Sequence, residues 1–238
     1  VLDTDTYNEI DDQFALSYMI RNGDKLRVQA IYAAPFHNEK SVSPKDGMEK
    51  SFSEILTLLA LLGREDLNPC VFKGSETYLH DEETPVPSSA ARDLAERAMR
   101  YTPENPLYVI AIGAITNVAS AILINPAIRE RIVVVWLGGN ALHWPDNREF
   151  NLAQDVAAAR ILFGCGVPLV QLPCMGVVSS FTVSEPELRQ YLLGKNALCD
   201  HLAQYAIEEG RRTASSGTWT RVIWDVTAVA WLLGEDFM

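Results

Sequence analysis

The apolar residues of this chain fall in short, nearly unbroken runs, most clearly at 107–112, 132–137 and 168–172. A half-exposed sheet would show apolar–polar alternation instead. A strand apolar on both sides must be covered on both sides, which is the condition of a parallel sheet sandwiched by helices. Further strands are expected at 27–34 and 70–72. Helical patterns lie between the runs. Residues 48–62 place Phe52, Ile55, Leu56, Leu59 and Leu62 on one helical stripe, and 89–101, a segment from Thr116, and 155–163 follow. The repeated β–α order predicts one α/β domain over 1–238, an open, mainly parallel sheet with helices on both faces. From Ser184 onward the pattern is mostly helical (186–193, 197–209, 224–233), with a mobile loop expected at 210–220.

Composition narrows the partners. A 238-residue chain with 48% apolar residues can bury a sizeable core. Its formal charge of -11 argues against nucleic acid, whose phosphates need Lys/Arg patches. No run approaches the roughly 20 apolar residues of a membrane span, so no membrane partner is expected. The chain opens directly on what reads as a buried strand, without a signal-peptide pattern, as if clipped. Cys70, Cys165, Cys174 and Cys199 show no metal-ligand spacing. They read as free thiols, which suits a cytoplasmic location.

In open parallel sheets, ligands bind beyond the carboxyl ends of the strands. The first such end carries Asp3, Asp5, Glu9, Asp11 and Asp12, five carboxylates within ten residues. Crowded like charges repel unless a cation neutralises them, and hard oxygen donors suit Ca²⁺ or Mg²⁺. A blander reading makes Asp11 a helix cap and the others solvated loop charges. A phosphatase of the haloacid-dehalogenase type would begin Asp-x-Asp-x-Thr, but Tyr7 stands where Thr or Val belongs.

The same segment resembles the D-x-D-P-G-x-D-D-A signature of the inosine-uridine preferring nucleoside hydrolases. Later landmarks follow in that family's order. Pro69 to Gly74 resembles its V-P-V-x-x-G strand, and Ile112 to Asn117 its G-P-L-T-N turn. Val134 to Gly139 resembles its glycine-ended strand, and Glu149-Phe150-Asn151 with Asp155 its E-F-N-x-x-x-D. Trp224-Asp225 followed by Ala228-Val229-Ala230 resembles its H-D-P-x-A-v-a. The resemblance implies a Rossmann-like core in a single domain that lacks the usual C-terminal elements.

It also implies roles. Asp5, Asp12, Asp225 and the Ile112 carbonyl would hold one Ca²⁺, and Asp5 would also be the general base. Asp11, Asn38, Glu149 and Asn151 would bind the sugar, and Asp3 would steady the loop. The activity implied is Ca²⁺-dependent hydrolysis of a ribonucleoside to free base and ribose, a reaction with an oxocarbenium-like transition state, in a homodimer or homotetramer. Two departures stand out. Residues Thr6 to Ile10 form a loop two residues longer than Pro-Gly-x, which makes Asn8 and Glu9 new polar candidates. Trp224 replaces the usual histidine, so it either stacks on a purine or simply packs there, and His143 and His37 are the alternative acids. The alternatives are a hydrolase of the same fold acting on another ribosyl compound, and a nucleoside- or sugar-binding protein without catalysis.

Overall fold

The structure, a computed structural model, describes residues 1–235. Six parallel strands form the central sheet: β1 (Leu2–Thr4), β2 (Ile31–Ala33), β3 (Val71–Lys73), β4 (Leu107–Ala111), β5 (Ile132–Leu137) and β6 (Leu169–Leu172). Their order is β3-β2-β1-β4-β5-β6. The chain first winds outward from β1 to β3, then restarts beside β1 and winds the other way. That reversal opens a crevice between the ends of β1 and β4.

The unbroken apolar runs have the cause inferred from the sequence. Alternate residues point to opposite faces, and both faces are buried. Ile110, Val135 and Leu137 enter the core beneath α1 (Ile10–Arg21), α2 (Pro44–Leu61), α8 (Ala197–Thr213) and α9 (Val226–Leu233). Val109, Val134 and Trp136 enter the core beneath α3 (Ser89–Arg97), α4 (Thr116–Ile124) and α6 (Val156–Gly164). The short α5 (Phe150–Gln154) precedes α6, and α7 (Glu185–Tyr191) precedes α8.

Two expectations change. The strand expected over 27–34 is only Ile31–Ala33 long. In place of the mobile loop expected at 210–220, α8 continues to Thr213. A strand β8 (Thr220–Val222) then pairs antiparallel with β7 (Thr182–Ser184). Gly210, the first residue of that expected loop, is a helical position that must lack a side chain. A Cβ there would lie 2.5 Å from the Trp219 ring.

One buried side chain ties three strand ends together. Asn117 Nδ2 donates to Asp3 Oδ1 (2.8 Å) and the Ala33 carbonyl (3.3 Å), and its Oδ1 accepts from the Ser75 N–H (2.8 Å) and hydroxyl (2.9 Å). Gly74 leaves it room, since a Cβ there would sit 2.0 Å from the Ala33 carbonyl oxygen. Asn117→Ala strands several buried polar groups at once. It is expected to cost about 2–4 kcal/mol, at roughly 1–3 kcal/mol per orphaned group. Urea unfolding in the presence of a chelator checks this.

Candidate active site

The crevice gathers carboxylates from three chain segments. Asp5 follows β1, and the turn after it is closed by the Asn8 N–H on the Asp5 carbonyl at 2.7 Å. Asp11 and Asp12 occupy the first turn of α1. Asp225 is the N-cap residue of α9 yet makes no capping bond. An aspartate there ordinarily accepts from its own helix. Here its carboxyl reaches Asp12, which is also in hydrogen-bond reach of Asp5. Asp11, Asp12 and Asp225 each offer an oxygen within 4.8 Å of the others. Helices α1 and α9 pack side by side with both N-termini at this point, so two helix dipoles favour negative charge.

The cluster lacks a protein counter-ion among its hydrogen-bond partners. Thr4 donates to Asp12 Oδ1 at 2.5 Å. Asp5 Oδ1, Asp11 Oδ1 and Asp3 Oδ2 are buried with no partner at all. Burial is the main cause that lifts every one of these groups. It pushes Asp3 and Asp12 up to about 7, and Asp11 up to about 8 with help from Glu9 and Asp12. Asp5 and Asp225 also rise well above the usual carboxylate range, through burial first and then their acidic neighbours. Buried, unpaired hard oxygen donors are what a divalent cation such as Ca²⁺ requires. Asp11, Asp12 and Asp225 are the described residues whose oxygens lie close enough together to hold one, and Asp5 lines the same cavity.

Beside the carboxylates lies a cavity of about 240 Å³. Asp5, Asn8, Glu9, Asp11, Asp12, Ile112 and Asp225 line it, as do Asn140, Glu149, Asn151, Phe150, Met175 and Trp224. Glu149 is fixed by the backbone. Its Oε1 accepts from Asn151 N (2.8 Å), and its Oε2 from Gly139 N (2.7 Å) and Leu152 N (2.9 Å). Burial still raises its pKa, against the pull of those donors. Asn151 Nδ2 anchors on the Leu137 carbonyl at 3.1 Å.

Three candidates, Asn38, His143 and His37, do not line this cavity. Asn38 stays outside the cavity, its Nδ2 donating to Asn8 Oδ1 at 2.7 Å. Asp3 sits behind Asp5 on Asn117. The His143 ring lies by Gly176, and His37 is engaged through its backbone on Gln154; neither lines the cavity. Asn140 was missed. It reaches the cavity from just after the Gly138-Gly139 strand end and accepts from Met175 N at 3.1 Å. Arg221 was missed too. Its Nη2 donates to Glu9 Oε2 at 2.9 Å, and its charge opposes the rise at Asp11. Only the Gly-Gly turn hinted at Asn140, and nothing local pointed to Arg221.

Sheet order, crevice and carboxylate cluster together define an α/β protein with a parallel sheet and a buried acidic group that could hold a metal ion at its switch point. The family model for inosine-uridine preferring nucleoside hydrolases matches residues 1–238, and the chain belongs to that family. It is 28% identical over 174 residues to the pyrimidine-specific ribonucleoside hydrolase RihA of Citrobacter koseri, which covers 62% of this chain and 55% of that protein. The RihA of Escherichia coli O1:K1 is 26% identical over the same length. The chain thus spans about half the length of the curated relatives it matches. Among solved structures, a purine-preferring ribonucleoside hydrolase from Gardnerella vaginalis superposes with a TM-score of 0.76 at 22% identity, over 98% of this chain and 78% of that one. The plant nucleoside hydrolase PpNRh1 gives 0.75 at 20%, over 96% and 76%. The type III effector XopQ, solved with adenosine diphosphate ribose, gives 0.65 at 15%, over 87% and 64%. At these identities the structural likeness is one of fold.

The raised carboxylates set a pH dependence. In the unfolded chain they titrate near 4. Between that value and about 8 the metal-free fold binds more protons than the unfolded chain, so its stability falls as pH rises through that window. Chelator-treated protein is expected to melt at a lower temperature at pH 8 than at pH 5. Ca²⁺ at about 100 times its Kd contributes roughly 2.7 kcal/mol. That is a rise of about 5–10 °C at pH 8 for a domain of this size, and less at pH 5, where the ligands hold protons. Calorimetry with and without Ca²⁺ measures both. No Ca²⁺ response at pH 8 would mean that these oxygens hold no such ion.

Proposed function

We propose that this protein hydrolyses the N-glycosidic bond of a ribonucleoside, preferring a purine, with Ca²⁺ held by Asp5, Asp12, Asp225 and the Ile112 carbonyl, and Asp11 beside them. The observation that carries this reading is the set of buried, unpartnered carboxylate oxygens facing one small cavity. Its other walls offer amides and an indole. When bound, the cation supplies the charge that lets the carboxylates ionise together and makes a water more acidic.

The chain's own groups divide the remaining work. Asp5 takes the proton of the attacking water. Asp11 and Asn151 hold the ribose hydroxyls, and Glu149, fixed in one orientation, receives the 5′-hydroxyl. The concentrated negative charge favours the oxocarbenium-like ribosyl cation over the neutral substrate. Trp224, half-buried at the cavity wall, stacks on the departing base. No histidine lines the cavity among the described residues, so leaving-group activation falls to stacking and protonation from solvent. Four free cysteines support a cytoplasmic setting, and the family resemblance supports a homodimer or homotetramer.

A second reading has its own support. The curated relatives are described as pyrimidine-specific, and XopQ was solved with a ribosyl diphosphate compound. Base release from inosine, adenosine and uridine, with adenine release from ADP-ribose alongside, separates these readings. Retention of p-nitrophenyl phosphate unchanged would exclude phosphatase chemistry.

Asp5→Ala is expected to lower turnover by about 10²–10⁴-fold, the usual worth of a general base. Near wild-type turnover would remove Asp5 from that role. Trp224→Ala is expected to cost purine nucleosides about 10–100-fold in kcat/KM, in line with roughly 1–3 kcal/mol for base–aromatic stacking, and uridine much less. An equal loss on both, together with a lower melting temperature, would make Trp224 a packing residue.

A further inference from the structure

The loop Thr6 to Ile10 is where this chain departs from its family's pattern, and it brings a side-chain donor to Asp5. Asn8 is buried, and its Nδ2 donates to Asp5 Oδ2 at 3.2 Å. The other carboxylate oxygen, Oδ1, has no partner. The two oxygens of Asp5 therefore differ: one accepts from Asn8, and the other has no hydrogen-bond partner among the described residues.

An asparagine amide can point either way, so the direction of this bond needs a cause. The neighbours supply one. The Lys40 backbone N–H can only donate, and it lies 2.9 Å from Asn38 Oδ1. The Asn38 amide is thereby turned so that its Nδ2 faces Asn8, at 2.7 Å from Asn8 Oδ1. Asn8 must then present Nδ2 to Asp5. A fixed backbone donor thus sets the direction of two successive side-chain amides and ends on the proposed base. The loop backbone is held from the other side. Lys40 Nζ donates to the Asn8 carbonyl at 2.8 Å and to Tyr205 Oη at 3.1 Å, and pairs with Glu209 at 3.8 Å.

We infer that Asn8 is a positioning residue for Asp5: held in one orientation by Asn38, it engages Asp5 Oδ2 and leaves Oδ1 as the oxygen that accepts the proton. The inference rests on the N-glycosidase reading above. It extends that reading to a loop for which the family signature has no counterpart, since Pro-Gly-x carries no side-chain donor at its first two positions.

The test uses Asn8→Ala, Asn38→Ala and their double variant, with inosine and uridine as substrates. Asn8→Ala is expected to lower kcat by about 10–100-fold, the usual effect of losing a group that orients a reacting one. KM should stay within about threefold, as for an interaction used in the transition state, and the melting temperature should hold. Asn38 acts through Asn8, so the double variant should be no worse than Asn8→Ala alone. A readout independent of turnover is the side-chain amide resonance of Asn8 in metal-free protein, expected to move in both Asp5→Ala and Asn38→Ala. Full kcat in Asn8→Ala, or additive losses accompanied by a falling melting temperature, would overturn the inference. So would an amide resonance indifferent to Asp5. If the wild-type protein releases no base from any nucleoside, the functional reading fails by itself, and the resonance still decides whether Asn8 holds Asp5.

Discussion

Asp3, Asp5, Asp11, Asp12 and Asp225 are buried, and none takes a hydrogen bond from a lysine or arginine among the described residues. Burying even one ionised carboxylate is costly unless it is paired or hydrogen-bonded. The chain offsets part of that cost locally. Thr4 donates to Asp12, Asn117 to Asp3, and two helix N-termini lend their dipoles. What remains is uncompensated in the protein alone, and the surrounding structure makes sense as a frame for it. The reversal of strand order places the ends of β1 and β4 side by side, and α9 returns from the far end of the chain to bring Asp225 to them. Stability and cation affinity are thus two readings of one arrangement.

Much of this could be read from the residues. Continuous apolar runs specify buried strands because each face of the sheet has its own helical cover. The acidic cluster stands out because five charges in ten residues demand a common explanation. The less legible parts depend on contacts distant in sequence. Gly210 is helical only because Trp219 lies against it, which no local propensity reveals. His143 stood as an alternative acid, but its ring lies by Gly176, and Asn140 lines the cavity instead. Arg221 meets Glu9 across 212 residues of chain. Asn38 keeps its place near the second strand end but acts on Asn8 rather than on the cavity.

Family membership and local departure coexist here without conflict. The carboxylates of the signature survive, while other residues lining the cavity differ from its pattern: an indole where a histidine is usual, a longer loop, and a different loop asparagine. The cation site is tied to the fold through β1, α1 and α9, so it tolerates little drift. The opposite wall is built from the loop after β5 and from Trp224, and can vary while the sheet stays intact.

The rim of the cavity is unequal in strength. On one side, Asn117 knots three strand ends, and buried Asp155 joins Leu79 N (3.0 Å), the Thr116 hydroxyl (2.6 Å) and Ala158 N (2.9 Å). On the other, the segment leading to Trp224 is fastened to the α1 entry by Arg221 and Glu9, with Glu9 about half exposed. Pairs of that kind are worth about 0–1 kcal/mol, whereas the Asn117 knot is worth several times that. The side that carries the indole thus rests on a two-stranded ladder and one ion pair, and the carboxylate floor on buried side-chain bonds within the main sheet.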